Sequence, residues 1–189
     1  GKVVVVTGGN SGIGQAIAEK FDQEGAKVVI FGRDQAKLDR VCQTLRQAIA
    51  VQGDVRRLSD IDKLFEQTSQ TFGKVDVLIA NAGIGGRRFV GEVDEAFFDE
   101  IVSINYKGVY FTVQRSLPYL NSGSSVILIS SIAGSLGIRN HSVYSSTKAA
   151  VSMLARYFTA DLIDKGIRVN AISPGYTDTP IFDSAKSKD

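Results

Sequence analysis

Val3-Val4-Val5-Val6-Thr7-Gly8-Gly9-Asn10-Ser11-Gly12-Ile13-Gly14 opens the chain and decides how it folds. Four consecutive β-branched residues are stiff at χ1 and favour an extended backbone. A run that is apolar on both faces suits a strand buried on both sides, as in a parallel sheet between two helix layers. The glycines that follow permit a tight turn and a close approach of backbone to a ligand. Residues 14–24 then have helical periodicity, so the turn ends at a helix N-terminus. Unpaired N–H groups and partial positive charge there attract a phosphate. The spacing is Thr-Gly-x-x-x-Gly-x-Gly rather than the G-x-G-x-x-G of the dinucleotide fingerprint. A glycine cluster alone can be only a tight turn; its place between a first strand and a first helix favours the phosphate.

The same alternation runs along the chain. Apolar runs at 28–31, 48–51, 75–80, 126–129 and 167–172 alternate with helical periodicity over 35–47, 58–72, 96–120 and 142–165. Read as strands apolar on both faces and joined by helices, they predict an α/β fold. It is a doubly wound, Rossmann-like parallel sheet in one domain spanning residues 1–189. Gly25, Gly73 and Gly166 stand where helices should stop. Hydrophobic residues make up 43% and charged residues 22%, the balance of a globular domain with a substantial core.

The net charge is +2 and the basic residues are scattered, Arg56-Arg57 and Arg87-Arg88 being only dipeptides, so no nucleic-acid partner is expected. The single cysteine, Cys42, cannot make an intrachain disulfide and fits a reducing compartment. No stretch approaches the ~18 apolar residues of a membrane span, and no leader precedes the first strand. A cytoplasmic protein without membrane contact or metal site is the expectation. Met153 and Phe158 sit at core spacing in the last helical segment.

Chemistry concentrates in Tyr144-Ser145-Ser146-Thr147-Lys148. Residues four apart share a helix face, so the Lys148 ammonium can sit beside the Tyr144 phenol. A free tyrosine titrates near ~10; a neighbouring cation lowers that value toward the range a general acid or base needs. Ser131 follows the apolar run 126–129, at the carboxyl end of a strand, where open parallel sheets bind ligands.

These residues together resemble the short-chain dehydrogenase/reductase family, in its compact single-domain branch, over essentially the whole chain. Thr7-Gly8-x-x-x-Gly12-x-Gly14 resembles the cofactor loop, with Asn10, Ser11 and Ile13 inside it. Asp54-Val55 is similar to the adenine-contacting pair, and Asn81-Ala82-Gly83 to the motif ending the fourth strand. Asn105, Ser131, Tyr144 and Lys148 match the catalytic residues. Pro174-Gly175-Tyr176-Thr177-Asp178-Thr179 matches the segment that holds the nicotinamide, with Pro174, Gly175, Thr177 and Thr179 as contacts.

The resemblance implies reversible hydride transfer between a nicotinamide cofactor and a small carbonyl or secondary alcohol. Tyr144 would be the acid/base and Ser131 would bond the substrate oxygen. Lys148 would lower the tyrosine pKa and hold the nicotinamide ribose, so Tyr144 and Lys148 also count as cofactor contacts. Asn105 would fix a water linking Lys148 to solvent. Asp54 could instead cap a turn, and Asn81-Ala82-Gly83 could be chiefly structural. His141, the single histidine, reads as a substrate-loop or surface residue, and the segment 135–141 as part of the pocket wall.

Cofactor choice rests on Ile30-Phe31-Gly32-Arg33-Asp34, the end of the second strand. Gly32 occupies the position where NAD users carry an acid. Arg33 follows, and a guanidinium can pair bidentately with a 2′-phosphate. NADP(H) is therefore expected, with NAD(H) possible if Asp34 takes the ribose hydroxyl; the absence of a basic residue from the glycine loop favours the latter. The alternatives are an NAD-dependent alcohol dehydrogenase and a non-catalytic dinucleotide-binding redox sensor. Sensors of this kind typically lack the tyrosine or lysine, and both are present. The family also implies a homodimer or homotetramer, one interface using the helices at 96–120 and 142–165. Its members carry a further helix and final strand after the Pro-Gly segment, so a C-terminal strand is expected to be missing here.

Overall fold

The computed structural model describes residues 1–179. The expectation of a missing final strand falls on residues beyond these and lies outside the described residues. Strands β1 (Val3–Thr7), β2 (Lys27–Gly32), β3 (Ala48–Gln52), β4 (Val75–Ala80), β5 (Leu120–Ile129) and β6 (Arg168–Ile172) form one sheet. Its order is β3-β2-β1-β4-β5-β6 and every pairing is parallel. The chain winds outward from β1 through β2 and β3, then returns to β4 on the other side. The order reverses between β1 and β4, which places a crevice at their carboxyl ends.

Among the described residues, six α-helices cover the sheet: α1 (Gly12–Gln23), α2 (Gln35–Cys42), α3 (Leu58–Phe72), α4 (Glu95–Val102), α5 (Val109–Ser116) and α6 (Ser142–Leu162). The two-residue period of β1 splits the core. Val3 and Val5 pack with Leu64, Phe65, Val113 and Val151 from α3, α5 and α6. Val4 and Val6 pack with Ala18, Leu38 and Val41 from α1 and α2. All four valines are buried, so β1 is the strand with helices on both faces that its sequence implies.

Four expectations need correction. The helix expected over 35–47 ends at Cys42. Thr44 Oγ1 donates to the Val41 carbonyl at 2.8 Å, while the Arg46 and Gln47 N–H groups donate to Asp22 Oδ1. Donors spent on Asp22 cannot extend the helix. The long helix expected over 96–120 is interrupted. After α4 comes a π-helical segment, Ser103–Gly108, then α5, then a 3₁₀ turn at Leu117–Tyr119. Pro118, with no N–H, stops the α-helix.

The strand at 167–172 is apolar on both faces only in part. Among the described residues it is the outermost strand, and its Arg168, Asn170 and Ile172 are exposed. Met153 is 45% exposed. The buried face of α6 carries Thr147, Val151, Leu154, Ala155, Phe158 and Leu162. Met153, two residues beyond Val151, is turned about 200° away from it. Phe158 is buried as expected. The helix at 142–165 is α6 plus a 3₁₀ turn, and it stops at Gly166, which adopts the left-handed φ of 66°.

Candidate active site

A cleft of about 790 Å³ lies at the carboxyl ends of the strands, across the β1/β4 reversal. Its wall includes every residue expected to hold a cofactor: Gly8, Asn10, Ser11, Gly12, Ile13, Gly14, Arg33, Asp54, Val55, Asn81, Ala82, Gly83, Tyr144, Lys148, Pro174, Gly175, Thr177 and Thr179. Residues scattered over most of the sequence converge because parallel strands all end on one side of the sheet. Ser131 also lines the cleft, whereas Asn105 lies behind its wall. The sequence reading passed over Phe31, Lys37, Gly53, Ile84 and Ile104, which line it too. Of these, Lys37 had a signal: it sits four residues after Arg33.

Hydrogen bonds fix the glycine loop. The Gly8 N–H donates to the Phe31 carbonyl at 2.7 Å. Asn81 Nδ2 donates to the Thr7 and Gly8 carbonyls at 2.9 and 3.2 Å, while Thr7 Oγ1 accepts the Asn81 and Ala82 N–H groups. Asn81 and Thr7 thus weld the ends of β4 and β1 where the crevice opens. A side-chain carbon on Gly14 would lie 2.1 Å from the Gly8 carbonyl oxygen, so only glycine lets α1 begin this close to the loop. Ser11, the N-cap of α1, makes no side-chain capping bond. Gly12, Ile13 and Gly14 of the first turn, whose N–H groups have no partner inside the helix, line the cleft. That is a cradle for a phosphate, and it fits a dinucleotide.

At the far end, the cleft is lined by Gly32, which carries no acid, with the Asn10 side chain packed over it. Arg33 and Lys37 both line this end. The Asp34 carboxylate is engaged: Oδ1 accepts the Lys37 N–H at 3.0 Å, capping α2, and Oδ2 lies 3.9 Å from Lys37 Nζ. The buried Asp54 accepts from Arg56 at both oxygens: its N–H at 2.9 Å, Nε at 2.9 Å and Nη2 at 2.5 Å. Burial raises the Asp54 pKa, but the Arg56 hydrogen bonds and charge, with the charge of Arg33, bring it below the ordinary carboxylate value. Asp54 is thus an ionised acceptor at neutral pH.

Tyr144 and Lys148 stand on the first two turns of α6, and Ser131 at the end of β5. Burial raises the Tyr144 pKa above its ordinary value, and a hydrogen bond from Ser131 partly offsets this. Ser131 Oγ accepts the Ala133 N–H at 3.1 Å, leaving its own hydrogen for the phenol. Lys148 is 4% exposed, and its Nζ donates to the Ile129 carbonyl at 2.9 Å. Burial lowers its pKa from 10.5 to about 8.

Here the expected electrostatics need correction. Sharing a helix face does bring the two side chains together, but Lys148 reaches inward to β5. Its Nζ lies 5.8 Å from the Tyr144 ring centroid, and burial dominates the tyrosine shift. The phenol is held protonated rather than pushed toward phenolate.

Asn105 is fully buried in the π-helical segment. Its Oδ1 accepts the Ile84 N–H at 2.8 Å and its Nδ2 donates to the Ile84 carbonyl at 2.9 Å. The side chain thereby clamps the loop after β4, and π turns are common at functional positions. Asn105 Oδ1 and Lys148 Nζ lie 3.3 and 3.4 Å from the point that a Gly83 side-chain carbon would occupy. His141 is not among the residues lining the cleft, nor is any other of the segment 135–141 expected in the pocket wall. Its Nδ1 bonds the Arg139 carbonyl at 2.8 Å and Arg87 Nε donates to its Nε2 at 3.2 Å. Its ring meets that of Tyr144 edge-on at 6.3 Å.

Known proteins share both sequence and fold. A chain named oxidoreductase asL5, from Sarocladium schorii, is 42% identical over 188 residues, covering 98% of this chain and 76% of that one. A hydroxynaphthalene reductase-like protein Arp2 from Metarhizium guizhouense is 34% identical, covering 97% of this chain and 71% of its own length. The crystal structure of a 3-ketoacyl-(acyl-carrier-protein) reductase from Brucella melitensis, complexed with NADH, superposes with a TM-score of 0.93 at 34% identity. It covers 97% of this chain and 78% of that one. Residues 2–189 match the profile of the family described as short chain dehydrogenase. With the glycine cradle, the strand-end cleft and the tyrosine–lysine pair already in place, the chain is an oxidoreductase of the short-chain dehydrogenase/reductase family.

Proposed function

We propose that this protein is an NADP(H)-dependent carbonyl reductase in which Tyr144 is the general acid. The observation that carries this reading is geometric: Tyr144, Ser131 and the buried Lys148 meet in the same cleft that the glycine loop lines. A phenol carries a proton at neutral pH, and reduction needs one for the developing alkoxide. The cofactor supplies the hydride to the carbonyl carbon. The chain's residues do the rest. Ser131 hydrogen-bonds the carbonyl oxygen, Tyr144 gives that oxygen its phenolic proton, and Lys148 holds the nicotinamide ribose. Asn105 would fix a water beside Lys148 that returns a proton from solvent. The loop from Gly8 to Gly14 holds the diphosphate, Asp54 and Val55 the adenine, and Pro174 to Thr179 the nicotinamide.

Arg33 and Lys37 support NADP(H). They bring two cations to an end of the cleft where Asp34 caps α2 and Gly32 carries no acid. The NADH complex of the Brucella reductase favours a second reading, NAD(H) at the same site. The direction of reduction also agrees with the reductase names of the relatives.

We assign the oligomer contact to the outer face of α4, the π-helical segment, α5 and α6. It exposes Phe98, Tyr106, Tyr110, Met153 and the 64%-exposed Tyr157, a contiguous apolar face of the kind that marks an interface. A second copy of this chain is the occupant.

Parallel fluorescence titrations with NADPH and NADH test the cofactor reading. NADPH is expected to bind at least about tenfold more tightly. The double variant Arg33→Ala/Lys37→Ala should remove that preference while leaving NADH affinity within about twofold, because NADH has no 2′-phosphate for the cations to meet. Equal losses for both cofactors would take the two cations away from the 2′-phosphate.

A further inference from the structure

Ser130 precedes the Ser131 of the proposed site, and nothing so far gives it a task. It is 3% exposed, at the end of β5. Its N–H donates to the Ile172 carbonyl of β6 at 2.8 Å, completing the sheet. Its Oγ donates to the Lys148 backbone carbonyl at 2.7 Å and lies 2.8 Å from Ser152 Oγ. A hydroxyl has a single hydrogen. With the Ser130 hydrogen on the Lys148 carbonyl, Ser152 must donate to Ser130. The bonds run one way, from Ser152 to Ser130 to the Lys148 carbonyl.

Lys148 is therefore tied at both ends, to Ile129, the last residue of β5, and to Ser130, which follows it. Its backbone is held by Ser130 and its ammonium by the Ile129 carbonyl at 2.9 Å. A lysine side chain has four rotatable bonds and is strongly hydrated when free. Here it is buried along its whole length. We propose that Ser130 is a positioning residue for the reaction, holding the Lys148 turn of α6 against β5 so that the buried ammonium stays at the catalytic end of the cleft. This rests on the reading of the site given above.

The groups facing the ammonium are few. They are the Ile129 carbonyl, the Asn105 amide across Gly83, and Tyr144, the titratable neighbour. Loosening the turn would let water reach Nζ, and the titration of Lys148 would move up from about 8 toward the ordinary lysine value. A merely structural serine would lower stability without moving that titration.

The experiment compares Ser130→Ala with Ser152→Ala. Each removes one hydroxyl from the same pair, but only the first breaks the bond to the Lys148 carbonyl. The Lys148 titration is followed by NMR on protein labelled with ¹³C at lysine Cε, its signal identified by its loss in Lys148→Met. Turnover is measured with NADPH and whichever ketone of an aliphatic and aromatic panel the wild type reduces fastest. In Ser130→Ala the titration is expected to rise by about one pH unit and kcat to fall about ten- to a hundredfold. Ser152→Ala should keep the titration in place and kcat within about twofold. An unmoved titration in Ser130→Ala, or the same rise in both variants, would overturn the proposal. A wild type that turns over no ketone with either cofactor would remove the reductase reading, while the NMR comparison still decides whether Ser130 holds the ammonium.

Discussion

Replacing Lys148 by methionine should make the ligand-free protein more stable, although it removes a residue of the proposed catalytic set. Methionine keeps an unbranched side chain of similar length and needs no hydration in the buried channel beside β5. The wild-type lysine is 4% exposed, and its ammonium donates to the Ile129 carbonyl. Burial lowers its pKa from 10.5 to about 8. At about 1.4 kcal/mol per unit, holding the charged form inside costs on the order of 3 kcal/mol at pH 7.

The pH dependence has a definite sign. Below about pH 8 both folded and unfolded chains carry the proton, and the whole penalty is present. Between about 8 and 10.5 the folded lysine gives up its proton while the unfolded one keeps it. The unfolded state then binds more protons, so wild-type stability rises with pH. Above that window the penalty is gone. Urea unfolding of wild type and Lys148→Met, from pH 7 to 10, is the assay. The variant should be more stable by about 3 kcal/mol at pH 7, with the gap closing as pH rises; taking the difference cancels groups common to both proteins. A variant no more stable than wild type at pH 7, or a gap that does not shrink, would refute the argument that the site holds a costly buried charge.

Two further outcomes test other parts of the structure. Tyr144→Phe should reduce kcat by at least about a thousandfold, since the phenolic proton has no substitute, and should leave NADPH affinity in a fluorescence titration within a few-fold; undiminished turnover would remove Tyr144 from the chemistry. Tyr157→Glu puts a charge on the apolar outer face of α6. Sedimentation velocity should then show a smaller species than wild type with the same circular dichroism, and an unchanged mass would take the oligomer contact off this face.

The sequence by itself determined the layers, the motifs and the family. Val3 to Val6 could be a strand covered on both faces because β-branched residues every position along the run leave no polar side for water. Gly8 and Gly9 could be assigned to a turn because a local backbone approach needs only local residues, whereas Gly12 and Gly14 belong to α1, Gly14 closing against the Gly8 carbonyl. Strand–helix alternation then fixed the parallel winding, since right-handed crossovers leave few other arrangements. Where the reading slipped, a distant partner had decided. The helix after β2 stops early because Asp22, over twenty residues away, takes the Arg46 and Gln47 N–H groups. The long helix before β5 opens into a π turn where Asn105 reaches Ile84.

Tertiary structure alone decided the electrostatics. The four-residue spacing put Tyr144 and Lys148 on one face of α6, but a pKa depends on depth and on partners from other elements. Those are the Ile129 carbonyl for the lysine and Ser131 for the tyrosine. Burial then raised the phenol that the sequence alone would have lowered. Lys37 likewise joined Arg33 at the cleft because Asp34 caps α2 and starts a helix whose first turn faces the ligand side. Motifs record which residues a site uses; desolvation and orientation arise only when separate strands and helices close around them.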